Sequence, residues 1–217
     1  MKKLLFWIVL IVGIVVLLGS CAKKDEATTA ATVTFTSTTT AAGSITVGSE
    51  TMSGTYVSPC YSGAEVAAAA SAGQLPSDLL AMRDVLVVTS DTSISEETHA
   101  YTDTTCSTPS LTYKQGRTDF TVGSASGSNY AVTYKASAVK VKPSTDVAKS
   151  HLDAFATSTG QSLTFTVGSE TSVTDSGSTK YNLVSVTSTT VQTGDSSDNA
   201  TPTSLDDGSL SMTKACQ

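Results

Sequence analysis

Glu96, Glu97 and His99 sit together in the sequence, with Asp103 nearby. Carboxylates beside an imidazole are the parts of general acid–base chemistry or of a metal site, provided that they converge. On a strand, side chains alternate between faces, so Glu97 and His99 share one face and Glu96 points to the other. At most two converge, and the group reads as a solvated strand face. Asp195, Asp198, Asp206 and Asp207 make a second acidic set that could collect Ca²⁺ with backbone oxygens. Their spacing is not that of an EF-hand loop, and they read as a solvated acidic loop. His151 stands alone and reads as a residue at the edge of a core. The sequence holds no Gly-x-Ser-x-Gly, no His-Glu-x-x-His and no phosphate-binding glycine loop. The expectation is therefore a protein that is not an enzyme, with no catalytic residues, no metal and no cofactor. A hydrolase with a cryptic site would need His99 or His151 beside a nucleophile or carboxylate in a cleft.

The four cysteines carry more information. Cys21 closes a stretch in which Lys2 and Lys3 precede an apolar run, Leu4 to Leu18, ending in Leu18-Gly19-Ser20-Cys21. A positive head, an apolar core and small residues at a cleavage site describe a secretory signal. The run is short for a membrane span, which needs about 20 residues. The stretch resembles a bacterial lipoprotein signal, which implies lipidation of Cys21 and a palmitate-bearing anchor. Ala22, rather than Asp, follows the cysteine, which by the same resemblance favours the outer membrane. An exported chain can hold disulfides. Cys60, Cys106 and Cys216 remain, and three thiols allow one intramolecular bond in three pairings. Cys60–Cys106 is favoured because both lie in loops that end adjacent strands, with Cys216 either free or paired with one of the two.

Composition narrows the partners. With Lys2 and Lys3 removed, 11 of the 13 basic side chains remain against 19 acidic ones, a net charge of −8. Nucleic acid and anionic headgroups both need a basic patch and are disfavoured as partners. Roughly a third of the chain is Ser or Thr, far above ordinary usage. Threonine suits strands, and serine and glycine suit turns. Trp7, the one tryptophan, leaves with the signal, so no tryptophan platform for sugars remains.

These residues need elements to position them. Residues 1–20 read as signal, 21–42 as a Thr/Ala-rich linker and 43–217 as one β domain. The linker reads as spacer to about Thr29, with Thr32 to Thr36 open to a first strand. Alternation and β-branched content predict strands at Ser44–Val47, Thr51–Val57, Asp84–Ser90, Ile94–Tyr101, Leu111–Lys114, Asp119–Val122, Tyr130–Val141, Leu163–Val167, Tyr181–Val191 and Leu210–Thr213. Ser77 and Asp78 read as the start of a short helix through Arg83, and Gly63–Ala72 is helix-compatible. The strongest helix is predicted at 145–156, capped by Ser144 or Thr145, with Val147, His151, Ala154 and Phe155 on one face. Thr-Val-Gly-Ser occurs at 46–49, 121–124 and 166–169 with unequal spacing, which reads as a reused strand-and-turn phrase rather than a repeat.

Gly54-Thr55-Tyr56-Val57-Ser58-Pro59-Cys60, then Tyr101-Thr102-Asp103-Thr104-Thr105-Cys106, then a glycine-led strand after Gly116 resembles a lipocalin-like half-barrel domain. That domain occurs in the APCDD family of membrane-anchored Wnt antagonists and in bacterial lipoproteins. The match spans about Gly54 to Val122, with Tyr56 where tryptophan is usual and no acidic residue after Cys60. It implies the Cys60–Cys106 bond and an open barrel with an apolar cleft, and carries over no ligand. The expected fold is mainly β: an antiparallel lipocalin-like barrel or half-barrel with one packed helix. The expected role is a cell-envelope lipoprotein that binds an apolar ligand in a pocket lined by residues such as Val85, Val87, Tyr130, Val132 and Phe165. A structural or adhesive surface protein is the alternative, with a filled interior and exposed edge strands.

Overall fold

The structure is a computed structural model that describes residue 35 and residues 37–173, 177–205 and 211–215. Cys21 and Cys216 lie outside the described residues, as do Asp206 and Asp207.

Among the described residues, twelve strands and two helices follow one another. They are β1 (Ile45–Val47), β2 (Glu50–Met52), β3 (Thr55–Val57), β4 (Tyr61–Ser62), α1 (Ala64–Ser71), β5 (Ala81–Ser90), β6 (Ser93–Tyr101), β7 (Pro109–Ser126), β8 (Asn129–Pro143), α2 (Asp146–Ser158), β9 (Thr171–Val173), β10 (Thr179–Val186), β11 (Thr190–Thr193) and β12 (Ser211–Lys214). All pairings are antiparallel. Strand order runs β3-β5-β6-β7-β8-β10-β11-β12, and β12 pairs back onto β3. Eight strands thus close a barrel, and the open barrel that the resemblance implied is not formed.

The closure uses only part of the long strands. Tyr130–Lys135 of β8 pair with β10, while Val139–Val141 pair with β9. Likewise Val85–Val87 of β5 pair with β3, while Ala81 and Met82 pair with β4. Strands β5 to β8 therefore run on below the barrel as an open sheet, which the two helices cover. Every barrel strand contributes to the interior, through Tyr56, Leu86, Val88, Ile94, Phe120, Val132, Tyr134, Val184, Val191 and Met212. The β1–β2 hairpin closes the upper mouth by adding Ile45, Val47 and Met52 to that cluster. Its turn glycine, Gly48, has φ of 63°, and a Cβ there would stand 2.0 Å from the Tyr130 hydroxyl. The hairpin tip therefore seats on Tyr130 only because residue 48 has no side chain.

The lower core is separate. Val66, Leu75, Leu79, Met82, Leu111, Val141, Ala148, Leu152, Ala156 and Phe165 fill the space between the open sheet and the helices. Helix α2 starts at Thr145, whose hydroxyl accepts from the Ala148 amide at 3.0 Å and donates to Asp78 at 2.7 Å. The helix expected at 145–156 is thus present. Its buried face is Ala148, Leu152 and Ala156, while Val147 and Ala154 are exposed.

Several local expectations change. Residues 77–80 form a turn, not a helix, and Asp78 instead anchors Ser110 and Thr145. Leu163–Val167 is not a strand. The two strands expected around Gly116 are one, β7; its paired strand crowds Gly116, where a Cβ would lie 2.7 Å from Ser137 Oγ. Turns divide the segments expected as single strands at Thr51–Val57 and Tyr181–Val191. The three Thr-Val-Gly-Ser copies fall in a hairpin turn, in mid-strand and in a loop.

Candidate functional site

Register on the concave face of β5–β8 stacks the inward side chains in rows. Met82, Ala100 and Leu111 make one row; Asp84, Thr98, Tyr113 and Val141 the next; Leu86, Glu96, Gln115 and Val139 the third; Val88, Ile94, Arg117 and Ala136 the fourth. The first row belongs to the lower core, and Leu86, Val88 and Ile94 to the barrel core. Between them, at the lower mouth of the barrel, lies a polar patch: Asp84, Glu96, Thr98, Tyr113, Gln115 and Arg117. The apolar neighbours are dry, with Leu86 and Leu111 at 0% exposure, whereas Glu96 and Arg117 keep 26% and 11% of their side-chain area. Asp84, Thr98, Tyr113 and Gln115 are also only partly buried. Inward-pointing groups that retain accessible area face a recess, not the outer surface.

The recess is electrostatically tense. Tyr61 donates to Asp84 Oδ2 at 2.9 Å and Thr98 to Oδ1 at 2.8 Å, both neutral donors. Arg117 pairs with Glu96 and lies over the Tyr134 ring, 4.3 Å from its centroid. Burial raises the Asp84 carboxyl above its ordinary range against the pull of the Thr98 and Tyr61 hydroxyls. Burial raises Glu96 too, with the Arg117 charge opposing it. Glu96 Oε1 and Arg117 Nε are buried without a hydrogen-bond partner. No sequence motif marks this place. The available signal was β6, where the phase Ile94, Glu96, Thr98, Ala100 mixes polar with apolar on what must be one face.

The opposite face of the same strands holds Glu97 and His99, which the alternation placed together. They are not on a solvated face. Residues 35 and 37–42 cross the outside of the barrel as a strap, with Phe35 and Ala41 packed on Val57, Val85 and Val87. The packed unit thus reaches back into the expected 21–42 linker. Glu97 is 2% exposed and accepts hydrogen bonds from Ser37 at 2.9 Å, from Thr39 and from His99 Nε2 at 2.7 Å. Thr112 Oγ1 lies 3.5 Å from His99 Nδ1, and the Phe35 ring meets His99 edge-on at 5.1 Å. This hydroxyl–imidazole–carboxylate chain has the connectivity of an activated nucleophile. Thr112 is only 8% exposed, paired within β7, and the Glu97 carboxylate is taken up by the strap.

Burial pushes the Glu97 carboxyl up, but bonds from His99 and Thr39 and the charges of His99 and Lys114 outweigh it, so the net shift is downward from 4.5. A carboxylate lowered in the fold contributes stability that is complete above its ordinary value and is lost as pH falls through the lower folded value. Asp84 and Glu96, both raised, act with the opposite sign. Glu97→Gln is therefore expected to weaken strap docking by about 2 kcal/mol at neutral pH, since hydrogen bonds to a charged group are lost. Acid should free the strap of the unaltered chain in the same way. Limited proteolysis between neutrality and about pH 3 reads both effects. Equal protection of the strap in the variant and the parent at neutral pH would refute the assignment.

The remaining sequence candidates are dispersed. Cys60 and Cys106 are bonded across 46 residues. Asp103 organises the second cysteine's loop: it accepts from the amides of Thr105 at 2.8 Å and Thr108 at 2.6 Å, and the Thr105 hydroxyl leads the groups that hold its carboxyl well below the usual range. His151 lines a shallow groove of about 490 Å³ with Leu75, Ser77, Asp146 and Ser150, and burial lowers its pKa. Asp198 pairs with Lys180, which is 4% exposed. Among the described residues no three His, Cys, Asp or Glu side chains come together to hold a metal. The five residues expected to line one apolar pocket fall into three clusters: Val85 and Val87 under the strap, Tyr130 and Val132 with the barrel core, Phe165 in the lower core.

No protein-family model matches this chain, and no curated protein matches it.

Proposed function

We propose that the chain is a non-enzymatic binding module of the cell envelope, anchored in the outer membrane by lipid on Cys21, that takes a small polar ligand at the lower mouth of its barrel. The observation that carries this reading is the polar recess, with accessible area on Glu96 and Arg117, set between two cores whose side chains are almost wholly buried. A ligand-sized apolar cavity would leave accessible area on its walls, and Tyr56, Leu86, Val184 and Val191 have at most 1%. Small-molecule sites favour the mouths of β-barrels. The −8 charge of the processed chain argues against nucleic acid. The filled interior also suits a structural or adhesive role. The sheet edges weigh against it, because β4 and β9 are only two and three residues long and offer little to an added strand.

Native mass spectrometry of the chain exported through an oxidising compartment, then mixed with an envelope extract, tests the reading. The expected result is a lipid-bearing N-terminal cysteine and a retained small molecule that enters the aqueous phase on denaturation. A retained molecule that partitions into organic solvent would restore the apolar-ligand reading, and a chain that retains nothing would overturn the binding role.

A further inference from the structure

The side chains of the recess specify the chemistry of its ligand, given the binding site proposed above. Three charged side chains face it. Glu96 and Arg117 neutralise each other. Asp84 has no ion-pair partner among the described residues, and its two donors are hydroxyls, so the recess carries one uncompensated negative charge. A carboxylate has about four acceptor positions, of which Asp84 uses two. Leaving such a charge half-buried without a counter-ion is costly, and folds retain that cost where a partner arrives from outside.

Two further groups point the same way. Tyr113 sits directly across from Thr98 in the same row as Asp84, and its hydroxyl has no hydrogen-bond partner among the described residues. Glu96 lies diagonally from Asp84 on the neighbouring strand, and its Oε1 is the buried carboxylate oxygen without a donor. Asp84, with two of its acceptor positions used, and Tyr113, with none, can take further donors from the recess, whereas Glu96 Oε1 is enclosed by protein and adds only its charge. Arg117 Nε is the one donor left over, and the guanidinium charge is already engaged by Glu96 and the Tyr134 ring. An anion would meet net negative charge here. A divalent metal would want a third carboxylate or imidazole, which does not converge among the described residues.

We propose that the recess binds a small organic molecule through a primary ammonium group, held by the two free acceptor positions of the Asp84 carboxylate and by the Tyr113 hydroxyl. Three N–H donors on one cationic nitrogen match three acceptors around one excess negative charge. Binding moves no covalent bond; it places a cation where the fold leaves a charge unpaired.

Isothermal titration of the full chain in neutral detergent tests this, with n-propylammonium chloride as the probe and n-propanol, glycerol and potassium chloride as comparators. For a ligand of so few atoms, saturable binding at about millimolar concentration is expected. Asp84→Asn should weaken it by more than about tenfold, because the buried charge partner is gone. Tyr113→Phe, which removes one oxygen and keeps the ring, should weaken it by about threefold to tenfold. The Tyr113 variant decides the matter if Asp84→Asn fails to fold. No saturation by propylammonium, or binding matched by potassium or n-propanol, overturns the proposal. Glycerol binding that is sensitive to Tyr113→Phe also overturns it, while leaving the recess as a site for polar ligands. The recess reading itself stands or falls separately, on the molecule retained in mass spectrometry.

Discussion

Replacing Cys60 and Cys106 by alanine is expected to cost the fold about 4 kcal/mol, the loop-closure value for a 46-residue separation. The enclosed segment holds β4, α1, β5 and all of β6, strands that contribute to both cores. Cys60 sits where the β5 edge passes from β3 to β4, so the bond also ties the barrel to the open sheet below it. Its partner loop is already ordered by Asp103, and Cys106 holds a φ of 55°, a conformation that non-glycine residues rarely adopt. Set against a total stability of about 5–15 kcal/mol, the loss is a large fraction. Urea unfolding of the double variant, beside the unaltered chain with and without reductant, measures it. A loss below about 1 kcal/mol would mean that the unfolded chain is hardly restrained by the bond.

Phe165→Ala is expected to cost about 3–5 kcal/mol, the usual range for emptying an aromatic site in a core. Phe165 is 1% exposed and packs in the cluster that contains Leu152, Ala156 and Val141. It comes from a loop that is not a strand and is otherwise held by single bonds, the Gln161 amide to the Ala156 carbonyl of α2 and the Gly168 amide to the Pro143 carbonyl of β8, so its side chain is the main apolar contact of 161–170. The expected signature is a lower urea midpoint together with faster amide exchange in α2. A variant that keeps the parent's midpoint would place Phe165 outside the cooperative core.

That loop shows why part of the fold was legible and part was not. Leu163, Phe165 and Val167 alternate as a strand does, but only Phe165 is fully buried and Val167 is 39% exposed. Alternation over five residues reports which side chains want burial, not whether a neighbouring backbone is available to pair with. Where β-branched runs were long, as in β5 and β8, both type and place were readable. At Ser77 and Asp78 the capping chemistry was real but was spent on another helix, with Asp78 bonded to Thr145. Gly116 looked like a break because glycine punctuates turns; its use is a close approach to Ser137. The sharing of one face by Glu97 and His99 followed from the period of two. Their burial did not, because the strap residues bonded to Glu97 are Ser37 and Thr39, from a polar Thr-rich run that carries no sign of packing. The recess was beyond reading: Asp84, Glu96 and Arg117 come from three strands, and only the register of β5, β6 and β7 makes them neighbours.

The strap also sets a length. With lipid on Cys21, the leash to the barrel would run to Ile45 if residues up to 44 were free, and 24 residues extend to at most about 84 Å. Phe35 is fastened to the barrel flank, so a lipid on Cys21 would lie within 14 residues of a fixed point, a reach of at most about 49 Å. The leash also leaves from the side of the barrel, beside Val57 and Val85, instead of from the hairpin at its top. Tension on the anchor would then load Phe35 and the Ser37 and Thr39 bonds to Glu97 before it reached the hairpin. Those few contacts would act as a mechanical fuse, and their failure would free the chain as far as Ala41 and Ala42, still held on Val85 and Val88, lengthening such a tether by roughly 21 Å while leaving the barrel closed.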